Sequence, residues 1–241
     1  MLRFLICKLE NLCYNNVSWL KTLFFNFYYL PIRQAVKLPI LLHKPRFYRT
    51  YGGRSFFFNL GGSVKIENDD VYHGMIKLGF VTGTSYQDIG FIWSNSGSII
   101  FKGECVIGQG CSIRNIKGEL IFGDKFKSNY NSHFICEEKI EFGNYSGCSW
   151  DCTFCDTDFH SIKNVYTGKK SNPRGPIIIG DYSWICQSSV ILKNTKLPNY
   201  TIVSTGSVLT GKFKCKEKSI VAGNPAKLIL EGEFYRDIND D

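Results

Sequence analysis

The sequence predicts an all-β fold, a parallel β-helix in which short strands wind into stacked coils. Its main support is a run of aliphatic residues six positions apart: Ile179, Ile185, Ile191, Leu197, Val203 and Leu209. A six-residue period matches neither a helix nor simple strand alternation, and a fixed short period is typical of a solenoid. Three hexapeptides would close one coil of roughly 18 residues, with the aliphatic side chains stacked inside. Ordinary strands in a sandwich are the alternative, but they do not require one register through six successive positions.

Repeated corner motifs are the second support. The segments I-F-G-D, E-F-G-N and I-I-G-D share one pattern, an apolar residue followed by Gly and then Asp or Asn. Glycine and asparagine tolerate the positive φ angles that tight corners demand. Small residues also stand between the aliphatic positions, as expected for corners: Gly180, Ser183, Ser189, Thr195, Thr201 and Gly206.

Residues 1–53 form a basic, aromatic segment that we expect to be helical. Their basic side chains are opposed by a single acidic one, Glu10. The apolar run W-L-K-T-L-F-F-N-F-Y-Y-L-P is interrupted by Lys21 and Asn26, which makes it too short and too polar for a transmembrane helix. Two interpretations stay open: an amphipathic helix on an anionic membrane face, or a helix that docks on the solenoid or on a neighbouring subunit.

The solenoid domain is predicted to span residues 54–230, after an extended connector that Pro39 and Pro45 favour. Short strands and glycine turns between Arg54 and Phe101 fit irregular first coils that cap the open end of the column. Hexads then recur in patches separated by slips, at Ile107 and Ile113, at Phe122, Ser128 and Phe134, and at Phe142, Cys148 and Phe154. The slips indicate small insertions within continuous coils.

A basic segment, residues 161–176, breaks the period completely and predicts a loop that leaves the coil at one corner. Loops held by a rigid scaffold often contact substrate, and we expect Arg174 to do so. A solvated insertion without a role is the alternative. Residues 231–241 are predicted to be a C-terminal tail.

The composition favours an anionic partner and a reducing compartment. A net charge of +8 suits a phosphate-bearing cofactor, an acidic glycan or anionic lipid. Nucleic acid is not expected, because no recognition motif accompanies the charge. The ten cysteines are scattered and no secretory signal precedes them, so we expect a cytoplasmic protein without disulfides.

A zinc site is the alternative use for three of the cysteines. Cys148, Cys152 and Cys155 lie close to His160 in the sequence. Their C-x3-C-x2-C spacing lacks the paired C-x2-C units of structural zinc sites, and a free thiol also serves as a small apolar filler. We therefore predict no metal.

His160 is the predicted catalytic base. It ends the segment C-D-T-D-F-H at the last corner before the loop, where its ring can reach a groove. Histidine accepts a proton near neutral pH, and Asp156 or Asp158 is expected to accept a hydrogen bond from one ring nitrogen. His43, His73 and His133 lack a comparable setting.

Several segments together resemble one enzyme family. They are I-I-I-G-D-Y-S-W-I-C-Q-S-S-V-I-L-K, S-T-G-S-V-L-T, V-A-G-N-P-A-K and D-T-D-F-H. Over about residues 100–230 the chain resembles the left-handed β-helix, hexapeptide-repeat acetyltransferases, in particular the galactoside and maltose O-acetyltransferases and the enzymes that O-acetylate capsule, lipopolysaccharide or exopolysaccharide sugars. The resemblance implies acetyl-CoA as donor, a sugar hydroxyl as acceptor, and a homotrimer with active sites between subunits.

The resemblance also implies roles for individual residues. His160 falls on the family's catalytic histidine, and Asn129 stands where those enzymes place an active-site asparagine. Glu137 lies near an acidic acceptor-binding position, a looser match.

On the cofactor side, Trp184 matches a tryptophan beside the pantetheine arm. Thr205 and Thr210 align with positions that contact the cofactor, and Lys227 with a basic residue near its nucleotide end. Cys186 and Gly211 depart from the usual Gly and Lys of these motifs.

Further readings stay open. The basic turn with Lys212, Lys214, Lys216 and Lys218 suits the phosphates of CoA or is simply a solvated hairpin. An N-acetyltransferase that acts on an amino sugar or an antibiotic would need the same histidine and groove. A silent solenoid that scaffolds a membrane-bound assembly is the rival from another class.

Overall fold

The structure, a computed structural model, describes residues 16–48, 60–82, 88–211 and 214–238. Within these ranges, two helices, α1 (Trp19–Tyr29) and α2 (Ile32–Ala35), precede 22 short strands. The strands form three sheets, and all neighbours are parallel except the last pair in the chain.

Up to β20 each sheet collects every third strand, and β21 and β22 then both join sheet 1. Sheet 1 contains, in order, β1 (Ile40–Leu42), β4 (Ile76–Phe80), β7 (Cys105–Gly108), β10 (Phe126–Ser128), β13 (Gly147–Cys148), β16 (Trp184–Ile185), β19 (Ile202–Val203), β21 (Ile220–Gly223) and β22 (Ala226–Leu230).

Sheet 2 contains β2 (Pro45–Phe47), β5 (Phe91–Asn95), β8 (Ser112–Asn115), β11 (His133–Cys136), β14 (Thr153–Cys155), β17 (Val190–Leu192) and β20 (Val208–Leu209). Sheet 3 contains β3 (Ser63–Ile66), β6 (Ser98–Phe101), β9 (Glu119–Phe122), β12 (Lys139–Phe142), β15 (Ile177–Ile179) and β18 (Lys196–Leu197).

This order confirms the predicted parallel β-helix, because the chain visits sheets 1, 2 and 3 in turn and then repeats. Ile185 pairs with Val203, 18 residues later, as the hexapeptide period predicts. Phe134 pairs with Phe154, 20 residues later. The earlier coils are therefore longer, which accounts for the slips in their register.

The interior is a continuous apolar column. All six hexad residues from Ile179 to Leu209 are buried. In the middle coils the column is aromatic: Phe122 stacks on Phe142 at 5.6 Å and Phe134 on Phe154 at 5.4 Å between ring centroids. Phenylalanines fill the wider 20-residue coils, whereas aliphatic residues fill the 18-residue ones.

The Gly-Asp and Gly-Asn motifs connect successive coils through side-chain hydrogen bonds. The Asn144 N–H donates to Asp181 Oδ1 at 2.7 Å, and the Asp181 N–H donates to Asn199 Oδ1 at 2.8 Å. A Cβ on Gly180 would lie 2.5 Å from the Asn199 nitrogen, so only glycine permits this approach. The expected positive φ at these glycines is wrong for Gly180, which is needed for space between coils instead.

Positive φ angles occur one residue after these motifs. At the corner between sheets 3 and 1, the residues with φ of 55° to 59° are Lys125, Tyr145, Tyr182, Tyr200 and Lys218. Side chains pay an energetic penalty in this region. The Tyr182 ring stacks on Tyr145 at 5.0 Å and on Tyr200 at 4.7 Å, and such aromatic contacts offset part of it.

The solenoid begins earlier than the predicted boundary at residue 54. Ile40 pairs with Ile76, and Pro45 pairs with Phe91, so β1 and β2 form part of a first coil where an extended connector was expected. Pro45 is tolerated because it is the first residue of an edge strand, where no ladder N–H is required.

Helix α1 docks on the free edge of β1, which is one of the two interpretations left open above. The Asn26 amide donates to Ile40 O at 2.7 Å and accepts from Ile40 N–H at 3.1 Å. Phe25 enters the end of the column, 4.9 Å from Trp93. The helix thus closes the first coil as a cap. Among the described residues, no helix has the length and apolar character to cross a membrane.

Candidate active site

The loop predicted at residues 161–176 leaves the prism between β14 and β15, at the corner between sheets 2 and 3. Its first and last parts run antiparallel, with bridges between Thr157 and Arg174 and between Lys163 and Lys170. Phe154 still pairs with Ile191, 37 residues later, without a register shift. The loop is therefore an arm added to an intact coil.

Glu137 clamps the base of this arm. Its carboxylate accepts a hydrogen bond from Thr157 Oγ1 at 2.6 Å and lies 3.0 Å from Arg174 Nε and 3.2 Å from Lys117 Nζ. The side chain is 10% exposed. The Thr157 hydroxyl, followed by the Lys117 and Arg174 cations, lowers the pKa of Glu137. The structure thus brings together two predicted substrate residues, Glu137 and Arg174, as an ion pair.

His160 lies on the exposed part of the arm. Its backbone N–H donates to Asp158 O at 2.7 Å, which fixes the turn that presents the side chain. Within the described part of the chain, the ring makes no hydrogen bond, so both nitrogens are open to a ligand. Phe159, beside it, has a φ of 61° and lies under the Arg114 guanidinium at 5.5 Å.

The expected orienting carboxylates are both engaged elsewhere, which corrects the prediction for Asp156 and Asp158. Asp156 is fully buried and accepts from the Glu137 N–H at 2.7 Å and the Glu138 N–H at 2.8 Å. Burial raises its pKa despite these donors. The Asp158 carboxylate lies 2.5 Å from Lys193 Nζ. Both side chains brace the arm, and neither forms the expected bond to the ring of His160.

The remaining predicted residues lie at other places on the prism. Asn129 follows β10, and Thr205 follows β19, both at the corner between sheets 1 and 2. Thr210 follows β20 at the corner that carries the arm, and Lys227 is exposed on β22. The width of sheet 2, about 10–13 Å for a strand of three or four residues, separates the His160 corner from the Asn129 corner.

Trp184 lies on sheet 1, where it is covered by the C-terminal tail. The Arg236 guanidinium is 4.5 Å from the indole ring, and its Nη2 donates to Tyr145 O at 2.9 Å. Tyr235 packs edge-on against Tyr200 at 5.9 Å. Sequence reasoning missed this contact, because no local pattern links a tail residue to a tryptophan 52 positions earlier.

A cleft of about 450 Å³ lies under the tail, beside Trp184. Its lining includes Glu104, Lys125, Lys127, Tyr145 and Arg236. Three of these five side chains are cationic, so the cleft is positively charged overall. Its charge is compatible with an anionic ligand.

Most of the described basic turn is committed to contacts within the chain. Lys216 pairs with Glu231 at 3.1 Å, and Lys218 lies over the rings of Tyr200 and Tyr235 at 5.8 Å each. Lys214 is exposed, and Lys212 lies outside the described residues. These contacts favour the solvated-hairpin reading for Lys216 and Lys218.

The cysteines near the arm are part of the packing. Cys148 and Cys152 are fully buried in the column, and the Cys155 thiol donates to Thr157 O at 3.1 Å. In the described ranges, no group of three or more His, Cys, Asp or Glu side chains is arranged to hold a metal ion.

Comparison with known proteins finds no family model that matches the chain. Among solved structures, it is similar to the polysialic acid-specific acetyltransferase NeuO, at 18% identity over 75% of each chain and a TM-score of 0.40. It is also similar to the N-acyltransferase AntD from Bacillus cereus, solved with dTDP and coenzyme A, at 14% identity over 73% of this chain and 86% of that one, with a TM-score of 0.43. A third is a galactoside acetyltransferase in complex with coenzyme A, at 12% identity over 90% and 86% of the two chains and a TM-score of 0.33. The values are too low to carry an argument about activity.

Proposed function

We propose that the protein is an acyl-CoA-dependent acetyltransferase that acylates a sugar hydroxyl, in the synthesis of a surface polysaccharide. The observation that carries the proposal is His160: an exposed imidazole, presented on an arm that Glu137 and Asp156 hold rigidly against a β-helix. The sequence motifs that resemble the hexapeptide-repeat acetyltransferases support the donor and the acceptor class. The free cysteines among the described residues suit a reducing cytoplasm.

The proposed reaction is direct transfer without an acyl-enzyme. One ring nitrogen of His160 takes the proton of the acceptor hydroxyl while the oxygen attacks the thioester carbonyl. The C–S bond then breaks, and the imidazolium returns the proton to the CoA thiolate. The Asn129 amide would stabilise the oxyanion, an interaction worth about 10²–10³ in rate, and the base about 10²–10⁴.

The site requires two subunits in this proposal. His160 and Asn129 occupy different corners of one prism, so one chain does not bring them together by its fold. In a cyclic trimer each interface joins two different surfaces, and the His160 corner of one subunit can meet the Asn129 corner of its neighbour. We therefore propose a homotrimer, with acetyl-CoA between subunits along Trp184, Thr205, Thr210 and Lys227.

Subunit complementation tests both proposals together. His160→Ala and Asn129→Ala are each expected to abolish acetyl transfer from acetyl-CoA to candidate sugars. Co-expression of the two variants should restore activity, because random assortment leaves about one quarter of the interfaces with both native residues. A mixture no more active than the single variants would overturn the shared site. Full activity in His160→Ala would overturn the catalytic role.

An amine acceptor is the second candidate. The same base and groove serve an amino sugar, so the acceptor class is decided by assay with labelled acetyl-CoA and sugar pairs that differ only in a hydroxyl or amino group. A folded oligomer that fails to bind acetyl-CoA would favour the non-catalytic scaffold instead.

A further inference from the structure

Helix α1 buries mainly polar side chains against the prism, whereas an ordinary surface helix buries apolar ones. Thr22, Phe25 and Asn26 face the prism and are buried. Two of these three are polar, and they form hydrogen bonds with the unpaired backbone groups at the edge of β1. Leu42 N–H donates to Thr22 Oγ1 at 3.1 Å, and the Asn26 amide bonds to both the N–H and the carbonyl of Ile40. Phe25 enters the column, but Leu20, Leu23 and Phe27 are left exposed on the outer side of the helix.

Both helices expose large apolar side chains, which together are called here the apolar face of the cap. Leu20 is 79% exposed, Phe27 51%, Ile32 75% and Val36 61%. Leu23 is exposed as well. Clustered exposed apolar side chains mark an interaction site, whereas single ones on a protein surface are ordinary. The position of α1 on the free edge of β1 makes this face the end of the prism, pointing away from the coils.

The charge around the face fits an anionic surface. Residues 16–48 contain no Asp or Glu, and their basic residues are Lys21, Arg33, Lys37, Lys44 and Arg46. Arg33 and Lys37 are exposed and follow Ile32 and Val36 in the chain. Lys37 donates to Val71 O at 2.8 Å, a neutral acceptor that leaves its charge in place.

Acidic side chains lie on the flank of the cap. Glu67 and Asp69 line a pocket of about 470 Å³ together with Arg33, Gln34 and Lys37. Lys44, on the opposite side, pairs with Asp88 at 2.5 Å.

We propose that this face docks on an anionic lipid bilayer, so that the prism stands on the membrane on its N-terminal end. Interfacial helices bind in this way, with apolar side chains among the headgroups and cations near the lipid phosphates. Helix α1 has 11 residues and lies across the end of the prism, as a peripheral contact requires.

This orientation sets the height of the His160 arm. β14 is the fifth strand of sheet 2, four strand spacings from β2, which is about 19 Å. The helix adds about 10 Å, so the arm stands roughly 30 Å above the lipid surface. This height concerns the proposed active site, whereas the docking itself does not depend on the proposed function.

Vesicle flotation of the full-length protein tests the docking. We expect flotation with vesicles of phosphatidylcholine mixed with phosphatidylglycerol, and at least about tenfold weaker binding to phosphatidylcholine alone, since two cations lie at the surface. High salt should weaken the binding further. A protein that stays at the bottom with mixed vesicles, or that binds both vesicles equally, would overturn the proposal.

Matched double variants locate the contact. Leu20→Ser/Phe27→Ser should lose flotation, whereas Ile229→Ser/Phe234→Ser, with one aliphatic and one aromatic residue on the C-terminal part of the chain, should float as the wild type does. Arg33→Glu, which leaves the apolar face intact, should reduce binding to mixed vesicles only. Unchanged flotation of Leu20→Ser/Phe27→Ser would overturn the assignment, and so would a change in its oligomeric state, because the face would then be a subunit contact. Acetyl transfer without vesicles is expected to persist in these variants, which separates this test from that of the proposed function.

Discussion

The Arg236 guanidinium lies 4.5 Å from the ring of Trp184 and covers the face of sheet 1 on which we place the pantetheine arm of the donor. If the donor binds as proposed, the tail residue and the donor compete for the same indole. A cation–π contact at a partly exposed site contributes about 0.5–1 kcal/mol, which a ligand that needs this surface has to displace.

Arg236→Ala is accordingly expected to tighten coenzyme A binding about two- to fivefold, as measured by calorimetric titration. Arg236→Lys, which retains a cation, is the control and should change affinity less. Weaker binding in Arg236→Ala would mean that the guanidinium contacts the donor directly.

Glu137→Gln should destabilise the protein in a pH-dependent way. The pKa of Glu137 is lowered in the folded state, so its carboxylate contributes stability above the ordinary pKa of glutamate, and this contribution is lost as pH falls through the lowered value. We expect a loss of about 1–2 kcal/mol at neutral pH, and a difference from the wild type that shrinks as the pH falls below the ordinary pKa of glutamate, measured by urea unfolding.

Glu119→Gln is the matched control for that measurement. Its carboxylate is 46% exposed and 3.7 Å from Lys139 Nζ, so its loss should cost less than about 0.5 kcal/mol. If the difference in free energy of unfolding between the wild type and Glu137→Gln stays constant with pH, the charge of Glu137 does not hold the arm.

A comparison of Asp156 with Asp158 shows whether the arm is stabilised more by a buried carboxylate or by an exposed one. Asp156→Asn puts an N–H donor against one of two backbone N–H groups and leaves that group without its acceptor, at a cost of about 1–3 kcal/mol in unfolding free energy. Asp158 is 41% exposed and paired with Lys193. Asp158→Asn should therefore lower the free energy of unfolding by less than about 1 kcal/mol. Equal costs would contradict the assignment of Asp156 as the anchor.

Phe142 should be among the most sensitive core positions. Its ring lies 4.6 Å from Phe126 and 4.8 Å from Phe154, in addition to the stack on Phe122. Phe142→Ala is expected to lower the free energy of unfolding by about 3–5 kcal/mol, and Phe142→Leu by less, because leucine fills more of the space. Near-wild-type stability of Phe142→Ala would mean that the column collapses to close the cavity.

The sequence predicted the solenoid best where local spacing determines structure. From Ile179 to Leu209 each hexapeptide supplies one inward side chain, and all six are buried. The first coil was not predicted, because β1 and β2 have only three residues each, β1 follows Pro39 and β2 begins at Pro45. No hexapeptide period is visible in so short a segment. Helix α1 was expected, but its polar inner side depends on a strand edge that is formed by other residues.

The candidate site was harder to predict, because its contacts join distant parts of the chain. His160 was predicted from its place before the arm, and its catalytic role stays a prediction. Its expected partner Asp158 instead forms an ion pair with Lys193, 35 positions later in the chain. No local sequence motif predicts that pair. The cover on Trp184 comes from the tail, which the sequence marked only as residues 231–241.

The unbroken pairing of Phe154 with Ile191 across the arm has a consequence for how the proposed enzyme can diversify. Since the coil on both sides of the arm pairs as if the inserted residues were absent, the arm can be exchanged without a change in the coils. Its length and composition can be rewritten, by evolution or by grafting, to accommodate another acceptor, while the architecture beneath it stays the same.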